Sequence, residues 1–157
     1  MALGLKIRLF NTIVTPTALY ACETWKSTKT ICRRLNVFQQ RCLRRILRVS
    51  YLDRITNAEI HRRTSTRPFS EMVAERRFCF AGHVLHLPPQ RLARTSIDWI
   101  PRGGKRKQGG QSKTWRRTFH DDLKALDIGP DEIEEMATDR IHWRTLVALC
   151  AERRGRI

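Results

Sequence analysis

Apolar residues recur along this chain at helical spacing. Leu5, Leu9, Ile13 and Val14 suit a first helix better than a strand, with Lys6 and Arg8 interspersed, and Pro16 interrupts it. Proline is tolerated in a first helical turn, so Thr15-Pro16 predicts the start of a second helix to about Trp25, with Leu19, Tyr20, Cys22 and Trp25 facing the core. Met1 runs almost at once into the first helix without leader or cap, as expected of a chain cut from something longer. Residues 27–30 form a short polar turn. Asn57 is placed to cap a helix through Arg63, and Ser70 one through about Leu87, stopped by Pro88-Pro89. A short helix is expected around Arg91 to Ile97. Trp115, Phe119, Leu123 and Leu126 mark another, with Asp121 and Asp122 on or near its opposite side. Gly129 ends it and Pro130 opens the next, where Asp131 and Glu132 suit the helix dipole. Thr138 is placed to cap a last helix carrying Trp143, Leu146, Val147 and Cys150, in which Asp139, Arg140 and Arg144 could form a polar network. No stretch alternates as a strand between hairpin turns, so the expected fold is all-α. The polar breaker at 64–68 divides a helical bundle over 1–66 from a second set of helices over 67–157.

The stretch from Ile31 to Arg48 stands apart. Ile31, Leu35, Phe38, Cys42 and Ile46 fall within an arc of roughly 80° at about 100° per residue. Arg33, Arg34, Arg41, Arg44, Arg45 and Arg48 fall within roughly 120° on the other side, with only Val37 among them. One face is made to pack and the other carries guanidinium groups that stay charged at any working pH. A charge run is usually a solvated face. Such faces mix signs, however, and this one has no carboxylate, which points to a polyanion.

Composition strengthens that reading. Among 157 residues, 31 Lys+Arg stand against 15 Asp+Glu, a net charge of +16. Nucleic acid is the first partner such a balance suggests; an anionic membrane or an acidic protein comes second. Eight of the acidic residues lie between Asp121 and Asp139, with only Lys124 against them, so the rest of the chain is more basic than the average. That acidic segment could dock on the basic helix, in this chain or in a larger body. The apolar side of the arginine helix lacks the Trp and Leu density of a membrane-surface helix.

A second basic run covers 101–117. Residues 101–112 have no large apolar side chain and four glycines, and so read as a basic loop. Arg102, Lys105, Arg106 and Lys107 lie in it, and Lys113, Arg116 and Arg117 follow, without an acidic residue. Such a loop can track a phosphate backbone without sequence preference. A solvated linker and a nuclear-import signal at Lys105-Arg106-Lys107 are the other readings.

Chemistry beyond binding finds little support. Five cysteines without a C-x-x-C pair fit reduced thiols and an intracellular, nuclear or cytoplasmic setting, and no signal peptide or long apolar span is present. Cys79, His83 and His86 share a helix face compatible with metal ligation, but no fourth ligand follows at a suitable spacing. No nucleophile elbow, phosphate loop or carboxylate pair for two metal ions is found. The expectation is therefore no catalytic residue, no metal, no cofactor and no small-molecule substrate.

Several segments together resemble the C-terminal part of reverse transcriptases of non-long-terminal-repeat (LINE-type) retrotransposons. They are Lys6 to Trp25 with Pro16, Leu19-Tyr20 and Glu23-Thr24-Trp25; Arg34-Leu35, Phe38 and Cys42 to Ile46; Asp53 to Asn57; Gly82-His83; Gly104 to Lys107; Thr114-Trp115-Arg116; and Asp139-Arg140-x-x-Trp143-Arg144. The chain departs from the family at Phe80, where Trp is usual nearby, near His86, where Arg is usual, and at Gly110-Gln111, where Arg-Pro is usual. The finger and palm regions with their catalytic aspartates are absent, as is an endonuclease domain. The resemblance implies a thumb and post-thumb region that grips RNA, DNA or an RNA–DNA hybrid by its backbone and packs on a polymerase body, without polymerase activity of its own. A degenerate retroelement remnant or a protein-interaction module is the alternative.

Overall fold

The computed structural model describes residues 1–98, 114–129 and 132–155, whose regular elements are all helical, without a strand. The basic loop 101–112 expected from sequence, including Arg102, Lys105, Arg106 and Lys107, lies outside the described residues, as does Lys113.

The chain opens with α1 (Leu3–Leu9), a π-helical turn (Phe10–Val14) and α2 (Thr15–Ala18) in unbroken succession. Pro16 therefore does not interrupt the helix. The wider turn ahead of it loosens the hydrogen-bond ladder where proline lacks an N–H, and Pro16 occupies the first turn of α2. The run ends earlier than expected, because Ala21 turns left-handed at φ 54° before a 3₁₀ turn at Cys22–Thr24. Leu19 and Cys22 are fully buried, but this reversal leaves Tyr20 79% exposed instead of in the core.

Helix α3 (Lys29–Leu47) begins where the Thr28 hydroxyl accepts from the Ile31 N–H at 3.2 Å. It ends in a left-handed Arg48, with the Val49 N–H returning to the Arg44 carbonyl. Helix α4 (Asn57–Thr64) is capped by Thr56 and not by Asn57, which is the first helical residue and turns its side chain to Arg44. Helix α5 (Phe69–Leu85) starts at Pro68 and is capped from α3. The Phe69 N–H donates to Gln39 Oε1 at 2.9 Å and the Ser70 N–H to Asn36 Oδ1 at 3.0 Å. Ser70, expected as the cap, instead accepts from Asn36 Nδ2.

Beyond α6 (Leu92–Asp98) come α7 (Trp115–Lys124), α8 (Glu132–Thr138) and α9 (Arg140–Gly155). Thr114 caps α7. Asp139 caps α9, accepting from the Ile141 and His142 N–H groups at 2.8 and 3.2 Å, so the cap expected at Thr138 falls one residue later. These two donors hold the Asp139 carboxyl below its ordinary pKa.

Helix α5 organises the packing. Its first turns give Phe69 and Val73 to a cluster with Phe10, Leu19, Leu43 and Ile60. Its later turns give Ala74, Phe78 and Ala81 to a second cluster with Phe119, Leu123, Trp143 and Leu146. A buried polar junction sits between the two. Arg77 of α5 pairs with Asp122 of α7 and donates to Ser27 Oγ at 2.6 Å, while Thr118 is hydrogen-bonded to the Ser27 backbone. Asp122 is thus fully buried, not outward-facing as its sequence position suggested, because Arg77 supplies its counter-charge. Trp115 Nε1 ties the start of α7 to the Glu23 carbonyl at 2.7 Å.

Candidate nucleic-acid interface

The packed face of α3 is rotated from the one its apolar residues outlined. Leu43 is completely buried, Gln39 and Gln40 are buried beside it, and Phe38 stays 43% exposed while touching the Phe69 ring. At about 100° per residue this shifts the buried centre by roughly 105°. The glutamines are admitted to the interior because their amides have partners. Gln39 Nε2 donates to the Arg67 carbonyl at 2.8 Å, and Gln40 Nε2 meets His61 Nε2 at 2.8 Å.

The rotation keeps the arginine face outward. Arg33, Arg34, Arg41, Arg45 and Arg48 are exposed, and among the described residues none of the five has an ion-pair partner. Helix α4 shows the contrasting arrangement. There Glu59 bonds both Arg62 and Arg63 at 2.7 Å, and their hydrogen bonds pull its carboxyl down to about 2. Bare guanidinium groups on α3 repel one another, and an approaching polyanion would relieve that repulsion.

Arg44 is different. Its Nη2 donates to the Ile55 carbonyl at 2.6 Å and to Asn57 Oδ1 at 3.0 Å, so it fastens the segment between α3 and α4. It still borders a groove of about 850 Å³ together with Lys29, Arg33 and Arg41, whose polar wall includes Asn36, Gln40 and Asn57. Sequence reasoning had missed Lys29 and these three amides. Lys29 sits at the helix start, outside the arginine arc; Asn36 and Gln40 stand one turn apart on α3 itself, and Asn57 joins them only through the packing of α4 on α3. A smaller space of about 750 Å³ lies beyond Arg44, against Leu52, Arg54 and Ile55.

Of the second basic run, Arg116 and Arg117 are described. Both are exposed on the first turn of α7, and Arg116 Nε approaches His120 Nε2 at 3.4 Å. The Trp115–Glu23 bond sets this turn beside the segment that leads into α3. Parts of the acidic stretch are used within the fold: Asp122 pairs with Arg77 of α5, Asp139 caps α9, and the Glu132 carboxylate accepts from the Gly129 N–H.

Among the described residues no group of three or more His, Cys, Asp or Glu side chains is placed to hold a metal ion. Cys79 and His83 are exposed on α5, while His86 Nδ1 is held by the Gly82 carbonyl. Although Cys79 is exposed as a residue, partial enclosure of its sulfur, with a contribution from Glu75, pushes the thiol up. No described helix is long and apolar enough to cross a membrane.

No protein-family model matches this chain, and no solved structure matches it. The chain is similar to an uncharacterized transposon-derived protein of Caenorhabditis elegans, 23% identical over 151 residues. The similarity covers 91% of this chain and 54% of that protein, so the chain spans about half the length of its curated relative.

Proposed function

We propose that this chain is a non-catalytic nucleic-acid-gripping module of retroelement origin, corresponding to the thumb and post-thumb region of a LINE-type reverse transcriptase. The observation that carries the proposal is the outward face of α3, where five exposed arginines have no carboxylate partner among the described residues. Guanidinium groups bind phosphate through paired, charge-assisted hydrogen bonds. The transposon-derived relative supports a mobile-element origin. Arg102, Lys105, Arg106, Lys107, Lys113, Arg116 and Arg117 would extend the track. The aromatic rings chiefly pack against one another, which favours backbone contact over base stacking.

The test is binding to an RNA–DNA hybrid across a salt series. Five neutralised phosphates give a log–log slope of about −4.5. Arg33→Gln/Arg41→Gln/Arg45→Gln should flatten it by about 3 and leave the fold intact, since these side chains are exposed. Arg44 is spared, because it holds the 50–57 segment. A slope near zero, or one the triple variant does not change, sinks the proposal.

A second reading, a protein-interaction module packing on a polymerase body, draws on α1. Leu5, Leu9 and Ile13 form an exposed apolar stripe at four-residue spacing. A pull-down that survives nuclease treatment and is lost in Leu5→Lys/Ile13→Lys would favour it.

A further inference from the structure

Two segments that the α3 face leaves unused meet across one cleft. Gly82-His83 lies toward the end of α5, and Arg140, Trp143 and Arg144 lie in the first turns of α9. Between these helices opens a shallow cleft of about 560 Å³. Its apolar wall exists because Gly82 lacks a side chain. The Trp143 indole lies against the α5 backbone there, its Nε1 donating to the Phe78 carbonyl at 3.1 Å. Val147 and Ala148 continue that wall along α9.

The rim is cationic. Arg140 and Arg144 stand one turn apart on a helix whose start Asp139 fixes, and both are exposed. Among the described residues neither has an ion-pair partner. His83 and His86 face them from α5; His86 donates from Nδ1 to the Gly82 carbonyl, so its neutral ring presents Nε2 to the cleft as an acceptor. The cleft has one carboxylate in its lining, Glu75, which Arg67 already neutralises at 2.6 Å. The exposed Ala148 beside two unpaired guanidinium groups suits a ligand with an anionic end and a small flat or apolar body.

We propose that the α5–α9 cleft is a second binding site, separate from the α3 face, for a phosphate-bearing group of nucleotide size. Arg140 and Arg144 take the phosphate, and the sugar or base lies over the exposed Ala148 and the narrow edges that the largely buried Trp143 and Val147 leave at the surface. The terminal nucleotide of a nucleic-acid strand and a free nucleotide share this chemistry.

Cysteines supply a reporter for each site: Cys79 lines the cleft, and Cys32 lines the α3 groove. The full chain is titrated with adenosine 5′-monophosphate and with two oligonucleotides that differ only in a 5′-phosphate or 5′-hydroxyl. Iodoacetamide labelling of each cysteine is followed by mass spectrometry. The expected result is that the mononucleotide protects Cys79 and not Cys32. Arg140→Gln/Arg144→Gln should weaken that protection about tenfold or more. Ala148→Glu, at an exposed position, should abolish it. Stronger protection of Cys79 by the phosphorylated oligonucleotide than by the mononucleotide assigns the site to strand ends; the reverse order assigns it to free nucleotide. Protection of Cys32 alone would uphold the α3 interface and overturn this site. No protection of Cys79 by any probe, or protection unchanged in the variants, also overturns it.

Discussion

The indole of Trp143 occupies the space where any residue other than glycine at position 82 would place its Cβ. A Cβ built on Gly82 stands within 2.7 Å of the indole Cδ1 and Cε2, closer than side chains approach one another. The same ring donates from Nε1 to the Phe78 carbonyl and stacks on the Phe78 ring, so it cannot step aside without losing both contacts.

This reverses an ordinary rule. Alanine inside a helix is about 1 kcal/mol more favourable than glycine. Gly82→Ala should instead destabilise the chain by about 2–3 kcal/mol, as an overpacked core does. Urea denaturation followed by helical ellipticity measures the change. A midpoint equal to or above that of the parent would mean that the α5–α9 contact is looser than described.

The Arg77–Asp122 pair yields a second prediction. It lies between the two core clusters and is sealed from water. Removing one partner leaves a buried charge, so Asp122→Ala should cost about 3–5 kcal/mol. Replacing both partners by apolar residues, as in Arg77→Met/Asp122→Leu, should recover most of the loss, because desolvation of both charges is avoided. Arg77 Nε has no hydrogen-bond partner in its buried position, which favours such a replacement. Chemical denaturation of Asp122→Ala and of the double variant decides. A double variant no more stable than Asp122→Ala would show that the apolar pair cannot fill the site.

These two relationships mark where sequence reasoning stopped. The helices were legible, and so was the core face of α9, because Trp143, Leu146, Val147 and Cys150 are apolar at helical spacing and all four are buried. The outward arginines of α3 were legible because guanidinium groups without counter-charges have nowhere else to go. Asp122 was not, since its partner lies 45 residues away and nothing local announces it. Gln39 and Gln40 were missed for the same reason: an amide is interior only when distant partners are supplied, here Arg67, Phe69 and His61. Caps slipped by one residue at Asn57 and Thr138, where two capping residue types stand side by side and one is engaged elsewhere: Asn57 with Arg44, and Thr138 with the Glu135 carbonyl. Gly82 could be placed on a helix, but not opposite Trp143.

His61 gives the fold a dependence on pH. Its Nε2 meets Gln40 Nε2, and its Nδ1 meets Thr66 Oγ1 at 2.9 Å, an arrangement that uses a neutral ring with one nitrogen accepting. Burial lowers its pKa from the ordinary 6.5. The unfolded chain takes up its proton near 6.5 and the folded chain at lower pH, so between the two values the unfolded state binds more protons. His61's contribution to stability is therefore complete above about 6.5 and declines as pH falls toward the folded value. Melting temperatures from pH 7.5 to 5 should fall more steeply for the parent than for His61→Gln. Parallel curves would mean that His61 titrates in the folded chain as it does in the unfolded one.

Arg48 separates stability from binding in a single substitution. It closes α3 in the left-handed region, at φ 56°, where a side chain is strained and glycine is not. The Arg48 and Val49 N–H groups satisfy the last carbonyls of the helix through backbone atoms alone, which glycine preserves. Arg48→Gly should therefore keep the cap, relieve about 1 kcal/mol of backbone strain and raise the melting temperature by a few degrees. It also removes one exposed guanidinium from the proposed phosphate track, so the log–log salt slope should become shallower by about 0.9. A more stable protein that binds an RNA–DNA hybrid less tightly is an outcome a general loss of structure cannot produce. Binding unchanged at every salt concentration would place Arg48 outside the track and confine the contact to earlier turns of α3. A lower melting temperature would instead show that the Arg48 side chain contributes more through packing on the helix end than its backbone loses to strain.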